Sequence, residues 1–436
     1  MKLYPGYQYL LTQEELDESV EVYKQKAITI ENEICRCQRC NTKFSSLENQ
    51  LPDGRHYCCE CISFGRVTSR HYLVTKPLDP PKKRKIKFDF TGRLTAAQKK
   101  ISYGLIQNFE GQIDSLVYAV TGAGKTEMLF KLIHHCLLKG LNVVFCSPRV
   151  DVCVEIHPRL QEIFPELEVG LRHYGAKPYQ PTSLLVCTTH QLFYFKKAFH
   201  LIIVDEIDAF PYENDQKLHY AVDNALHKNG CRVFLSATPS EVEIKAAEKS
   251  GGLFCLPARY HRRLLPVPKP VRIKTHKLPL TAHCKKTFLK LVTELLQHNH
   301  LLLFCASVNQ VLAMEKFLKA ELKEFTIASV HAADCERHMK VKKMRQNDFQ
   351  IFCCSTVMER GVTFANISVL VFNADHHVFT QATLLQIAGR ADRKGDFSNG
   401  EVVFCFTQMT KAIRKAVQIT KRLNQQAKKA GLLDEM

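Results

Sequence analysis

No apolar stretch in the 436 residues reaches the ~18 that a membrane span needs. The opening MKLYPGYQYLLTQEELDE has no charged region followed by an apolar core and a small-residue cleavage site, so no secretory leader is read there. No repeat of roughly 20–50 residues is visible. With 19 Gly the chain is not collagen-like, and with 45% hydrophobic and 24% charged residues it is not wholly disordered. The expectation is a soluble, unexported chain, cytoplasmic, with two large domains, or two and a small module, at about 100–200 residues per domain.

Charge is plentiful but one-sided, at +18 net, and unevenly placed. Residues 1–75 and 94–256 each sum to −1, residues 76–93 to +5, and residues 257–436 to +15. Such an excess favours a polyanionic partner, through phosphate neutralisation and counterion release. Most of the 18 Cys stand alone in apolar runs such as Leu302-Leu303-Phe304-Cys305, where a reduced Cys serves as a small core residue.

Composition breaks the chain into a polar, Cys-rich region (1–75), a Pro-punctuated basic stretch (76–93) expected to be an extended linker, and two long regions (94–256 and 276–436). A Pro-rich basic segment, 257–275, separates the last two. The basic stretch contains Pro81-Lys-Lys-Arg-Lys-Ile-Lys87, which mimics a nuclear localisation signal and is read as a phosphate-contacting or solvated linker. Strand candidates fall at 115–120, 142–146, 184–187, 201–204 and 232–235, then at 300–304, 325–330, 350–354, 369–372 and 401–406. Short apolar strands alternating with amphipathic helices describe α/β lobes with parallel sheets covered on both faces. The tail from Thr410 reads as a basic amphipathic helix.

The first strand runs into Ala119-Val-Thr-Gly-Ala-Gly-Lys-Thr126, a P-loop apart from Ala119 in place of the first Gly. Gly122 and Gly124 let backbone N–H groups, among them those of Thr121 and Ala123, face a phosphate at a helix N-terminus. Lys125 would neutralise β/γ oxygens and the Thr126 hydroxyl would ligate Mg²⁺. Downstream, Leu201-Ile-Ile-Val-Asp-Glu-Ile-Asp208 ends an apolar strand with carboxylates. Asp205 would hold Mg²⁺ through water and Glu206 would orient the attacking water. Together these indicate hydrolysis of ATP or a related triphosphate.

Cys37-Gln-Arg-Cys40 and Cys58-Cys-Glu-Cys61 have the spacing of a four-thiolate zinc site. Cys35, Cys59 and His56 leave other registers open. The set 37/40/58/61 is preferred because both knuckles then share one spacing. Arg36, Arg39, Arg55 and Tyr57 are expected at the rim, suited either to nucleic acid or to a protein partner.

The remaining segments, in order, resemble the superfamily-2 helicase motor. Leu94-Thr-Ala-Ala-Gln98 is similar to the nucleotide-facing glutamine motif. Ser147-Pro-Arg149 and Thr188-Thr-His-Gln-Leu192 are similar to loops that touch nucleic-acid phosphates, and Ser236-Ala-Thr238 to the motif coupling hydrolysis to lobe movement. Phe304-Cys-Ala-Ser307, Ser355-Thr-Val-Met-Glu-Arg-Gly-Val-Thr363 and Gln386-Ile-Ala-Gly-Arg-Ala-Asp-Arg393 are similar to motifs four to six. The resemblance implies two RecA-like lobes, Gln386 beside the nucleotide, and Arg390 with Arg393 as arginine fingers on the γ-phosphate.

With an N-terminal four-Cys module and no large C-terminal accessory domain, the chain resembles the ComFA family, late-competence ATPases of naturally transformable Gram-positive bacteria. Support comes from Thr188-Thr-His-Gln-Leu192, Val330-His-Ala-Ala-Asp334 with Arg337, and Met358-Glu-Arg-Gly-Val-Thr-Phe364. The resemblance implies an ATP-driven single-stranded DNA translocase at the inner face of the membrane, beside ComFC, DprA and the ComEC channel. Two readings stay open: a duplex-unwinding helicase of the PriA type, and a non-catalytic DNA-binding scaffold.

Overall fold

An apolar strand of four or five residues can lie in the middle of a sheet only if helices cover both faces, and both long regions satisfy this. The computed structural model describes residues 2–16, 21–175, 179–274, 280–331, 333–356, 364–392 and 399–434. It divides into two units, Met1–Val117 with Thr126–Phe254, and Tyr118–Lys125 with Cys255–Met436.

The Cys-rich region forms six short strands: β1 (Gln8–Leu11), β2 (Tyr23–Lys26), β3 (Ile28–Glu31), β4 (Ile34–Cys37), β5 (Lys43–Ser45) and β6 (Tyr72–Thr75). They make two antiparallel three-stranded sheets, ordered β1-β6-β2 and β3-β4-β5. Sheets this small bury too little surface to stand alone. Their few apolar residues, Ala27, Ile28, Val67 and Leu73, join one cluster with Leu192, Phe193, Phe195 and Phe199 of the first lobe.

Residues 76–93 carry no helix or strand and lie extended along the first lobe. The Arg84 N–H donates to Leu138 O at 3.1 Å and the Asp89 N–H to Ile163 O at 2.9 Å. Ile86 is buried, and Phe88 stacks on His134 at 4.7 Å.

The first lobe comprises α1 (Ala96–Glu110), β7 (Ser115–Ala119), α2 (Phe130–Leu138), β8 (Val143–Ser147), α3 (Val150–Ile163), β9 (Gly170–Arg172), β10 (Leu184–Thr188), β11 (Phe199–Asp205), α4 (Gln216–Ala225), β12 (Leu226–Ser236), α5 (Glu241–Ser250) and β13 (Leu253–Leu256). Its seven strands are ordered β13-β7-β12-β11-β8-β10-β9. The β12–β11, β11–β8, β8–β10 and β10–β9 pairs are parallel.

The second lobe comprises β14 (Lys269–Arg272), α6 (Ala282–Leu296), β15 (His300–Phe304), α7 (Val308–Glu321), β16 (Ile327–Val330), α8 (Arg337–Arg345), β17 (Ile351–Cys354), β18 (Ile367–Val371), α9 (Gln381–Ala388), β19 (Val402–Phe406) and α10 (Lys411–Lys429). Its sheet, β14-β19-β18-β15-β17-β16, is parallel throughout. The fold is therefore two tandem parallel-sheet α/β lobes of the RecA-like kind with an N-terminal four-cysteine module.

Within the two lobes, strands that the apolar pattern misses lie at sheet edges. β9 (Gly-Leu-Arg) and β14 (Lys-Pro-Val-Arg) each pair on one side only, so neither needs an apolar run, and an edge tolerates Pro270. β12 begins six residues before the apolar segment 232–235 because its first five residues are half-buried or exposed and carry no apolar run.

Candidate functional site

Parallel strands put the ends of successive strands on one edge of a sheet, and ligands of open α/β sheets bind there. In the first lobe Thr188 pairs with Ser147, and Asp205 with Leu235, so β8, β10, β11 and β12 end together. The motif loops that follow, at Ser147, Thr188, Asp205 and Ser236, start from this edge. In the second lobe Phe304 pairs with Cys354 and Val371, and Val330 with Cys354, which places Cys305–Ser307, His331 and Ser355 at the corresponding edge.

The P-loop leaves β7 after the buried Ala119 and Val120. Gly122 (φ 85°) and Gly124 (φ 72°) occupy the left-handed region, open to glycine without strain, which explains their identity. A single 3₁₀ turn, Glu127–Leu129, leads from Thr126 into α2. Gln98 is buried at the first turn of α1, where its Oε1 accepts from the Thr95 N–H at 2.8 Å while the Thr95 hydroxyl accepts from the Gln98 N–H. This capping box fixes the glutamine by its carbonyl oxygen. Within the second unit, the Thr121 hydroxyl lies 3.4 Å from Gln386 Oε1, and a Cβ on Gly389 would come within 2.9 Å of Thr121.

The carboxylates are held differently from one another. Asp205 closes β11 and its Oδ1 accepts from the Glu206 N–H at 2.8 Å. Glu206 has φ 57°, an uncommon conformation for Glu that turns the chain sharply off the strand. Asp208 is a residue to which sequence reasoning assigned no role. Its buried carboxylate accepts from the Ser236 hydroxyl at 2.8 Å and the Thr238 hydroxyl at 2.6 Å. The loop after β11 is thus tied to the loop after the neighbouring β12. Of the two candidate arginines, Arg390 is buried just past α9. Arg393 lies outside the described residues, as do Met358–Thr363 and Ala332.

The four sulfurs of Cys37, Cys40, Cys58 and Cys61 lie within 4.8 Å of one another, all on buried residues. Cys37 and Cys61 are 3.8 Å apart, and Cys40 and Cys58 are 3.6 Å apart. A tetrahedral ion with Zn–S bonds of about 2.3 Å places its sulfurs roughly 3.8 Å apart, so the donor set fits zinc. Neither Cys35, Cys59 nor His56 joins the group. Mutual hydrogen bonding, first between Cys37 and Cys40, pushes the Cys37 thiol up and pulls the Cys40 thiol down from the ordinary value.

Arg39 corrects one expectation: it is buried, not at the rim. Its guanidinium donates to Cys61 Sγ (3.4 Å), Cys61 O (3.1 Å), Phe64 O (2.9 Å) and Gly65 O (2.6 Å). A planar fork with five donors can satisfy one loop this way. The other two arginines are occupied at the surface, Arg36 with Asn41 and Arg55 with Asp53.

The same loop docks onto the segment that follows β10. Phe64 stacks on His190 (6.0 Å, 18°), and the Tyr194 hydroxyl donates to Phe64 O at 3.1 Å. Tyr7 is sandwiched between Tyr179 and Tyr194, with the Arg172 guanidinium 4.5 Å from the Tyr194 ring centroid. Burial pushes the His190 imidazole below its ordinary value. The sequence signal for this seam was the density of aromatics among residues 4–9, without any hint of their partners.

Residues 95–246 match the DEAD/DEAH box helicase family and residues 285–395 match the helicase conserved C-terminal domain. The chain is 36% identical over 425 residues to the competence protein ComFA of Streptococcus pneumoniae (strain ATCC BAA-255 / R6), covering 96% of this chain and 97% of that protein. It is 34% identical over 434 residues to ComFA of Bacillus subtilis (strain 168), covering 96% and 93%. Among solved structures it resembles the Mycobacterium smegmatis helicase Lhr bound to ssDNA and AMP-PNP. The TM-score there is 0.55 at 19% identity, over 77% of this chain and 50% of that one, a likeness of fold.

Proposed function

The chain belongs to the ComFA family of competence proteins and is an ATP-hydrolysing, helicase-type enzyme; from that premise we propose that it is a single-stranded DNA translocase that draws transforming DNA inward. The observation that carries this reading is the shared edge at Ser147, Thr188, Asp205 and Ser236. One row of strand ends there gathers the hydrolytic carboxylates and the loops that resemble phosphate-contacting segments. With binding dominated by the strand's backbone, affinity falls steeply with salt and depends little on base sequence.

In this reading Lys125 and the P-loop N–H groups, from Thr121 to Gly124, bind the triphosphate. Thr126 and, through water, Asp205 hold Mg²⁺, which when bound neutralises charge on the phosphate oxygens. Glu206 orients the attacking water, Gln98 and Gln386 border the nucleotide, and Arg390 with Arg393 serves the γ-phosphate. Asp208 passes the state of this site to Ser236 and Thr238. Cys37, Cys40, Cys58 and Cys61 hold a structural zinc, because four thiolates leave no open position for substrate.

Among the described residues no helix is long and apolar enough to cross a membrane. Association with the inner face of the membrane, contact with ComFC, DprA and ComEC, and assembly into oligomers are proposed from family membership alone. The deciding experiment measures ATPase rate with single-stranded DNA, duplex DNA and RNA in parallel, alongside strand displacement. Stimulation by single-stranded DNA without displacement is expected. Turnover indifferent to DNA would revive the scaffold reading, and efficient displacement would favour the PriA-like one.

A further inference from the structure

The segment after β13 belongs to the second unit and makes contacts that the motif pattern did not foreshadow. Arg259 is 2% exposed, yet it is a full cation, and a buried guanidinium is tolerated only when its donors are matched. Its Nη1 donates to Ala391 O at 2.8 Å and to Asp392 O, and its Nη2 approaches Gly389 O at 3.4 Å. Helix C-termini leave carbonyls without intrahelical partners, and here one side chain gathers three of them just past α9. The three carbonyls belong to residues on both sides of Arg390. His261 Nε2 adds a contact to Asp392 O at 3.1 Å. Between these two residues, the Tyr260 N–H donates to the P-loop carbonyl of Gly122 at 3.0 Å.

The next residues are stapled down as well. Asn424 of α10 brackets Leu265, accepting from its N–H at 2.8 Å and donating to its carbonyl at 2.9 Å. Arg262 pairs with Asp434 at 3.1 Å. The segment is thus anchored to α10 as well as to the loop past α9.

We propose that Arg259 is a positioning residue for nucleotide hydrolysis. Its guanidinium holds the backbone of residues 389–392 in the one conformation that presents Arg390, and the adjoining Tyr260 N–H ties the same strap to the phosphate loop. The inference rests on the reading of Arg390 as the γ-phosphate arginine. Arg390 then works only on a loop clamped by a second arginine that touches no nucleotide.

The test compares full-length wild type with Arg259→Ala, Arg259→Lys, Arg390→Ala and the Arg259→Ala/Arg390→Ala double variant. Steady-state ATPase with single-stranded DNA, affinity for a fluorescent ATP analogue and thermal unfolding are measured for each. A misplaced catalytic group costs roughly 10²-fold. Arg259→Ala should lower kcat by about that factor while KM for ATP and analogue affinity stay within about twofold. The double variant should be no slower than Arg390→Ala, because both changes disable one element. Should Arg259→Ala fail to fold, Arg259→Lys decides: a point charge cannot span three carbonyls, so kcat must fall with KM unchanged. Wild-type kcat in Arg259→Lys or Arg259→Ala, or losses that multiply in the double variant, would overturn the proposal. Wild-type turnover in Arg390→Ala would instead strike the underlying finger reading and remove the proposal with it.

Discussion

Replacing Arg39 by Ala removes a buried cation from the backbone of the loop that carries Cys58 and Cys61. Hydrogen bonds to a charged donor contribute about 1.5–3 kcal/mol each, and Arg39 makes three to carbonyl oxygens and one to a sulfur. Their sum overstates the loss, because the variant no longer desolvates a guanidinium and water can reach the carbonyls at the rim. Single disruptions of buried charged networks cost about 3–5 kcal/mol; with the rim exposed to water, we expect about 2–4 kcal/mol here. At 1.4 kcal/mol per factor of ten, zinc retention should weaken by at least about tenfold. Urea unfolding and the rate of zinc transfer to a chromogenic chelator measure the two effects. Arg39→Lys should recover less than half, since an ammonium cannot span Cys61, Phe64 and Gly65. An Arg39→Ala protein with wild-type urea midpoint and zinc release, but weakened DNA binding, would refute this account and return Arg39 to a DNA-facing role.

Lys125→Ala and Glu206→Gln should each abolish ATP hydrolysis while leaving DNA binding largely intact, as read by a colorimetric phosphate assay beside filter binding. Asp208→Ala strips a buried acceptor from Ser236 and Thr238. It should destabilise the protein by about 2–4 kcal/mol in urea and reduce the DNA stimulation of ATPase more than the basal rate. Neutralising the exposed Lys82, Lys83 and Lys85 should lower DNA affinity and the slope of its salt dependence. Burial, reinforced by the neighbouring His227, lowers the His200 pKa to about 4. The unfolded chain therefore binds a proton between about pH 6.5 and 4 that the folded chain refuses. Stability should be fully present above pH 6.5 and fall by about 2–3 kcal/mol on acidification through that window. His200→Gln should flatten that part of the profile, and a slope unchanged by the substitution would refute the assignment.

The parts of the site that were legible in the sequence are those in which chemistry needs a residue type at a fixed local spacing. Gly122 and Gly124 are readable because only glycine takes a positive φ without strain. Asp205 is readable because a carboxylate after four apolar residues marks the end of a buried strand. The two C-x₂-C pairs are readable because one ion draws two sulfurs from one tight turn. Arg39 was misread for the complementary reason. An arginine among knuckle cysteines looks the same in sequence whether it faces solvent or folds back onto carbonyls sixty-odd residues into the chain. Asp208 and Arg259 carry no local signature either, since their partners lie 28 to 133 positions away.

The absence of long apolar runs and of repeats narrows the fold class, and the basic excess is concentrated in residues 76–93 and 257–436. Without a long apolar run or a repeat, only alternating short strands and helices remained, and these dictated two α/β lobes. Periodicity and spacing act over a few residues, so the amino-acid order alone determined the buried strands of the two lobes, the phosphate loop, the paired carboxylates and the cysteine quartet. What the tertiary structure alone decided is how distant segments are clamped. It joined Asp208 to Ser236 and Thr238, seated the cysteine module on the segment after β10 through Phe64 and Tyr194, and gave Arg259 the carbonyls around Arg390. Those partners are chosen by packing and by the cost of leaving a buried polar group unmatched, which depend on where the chain returns in space.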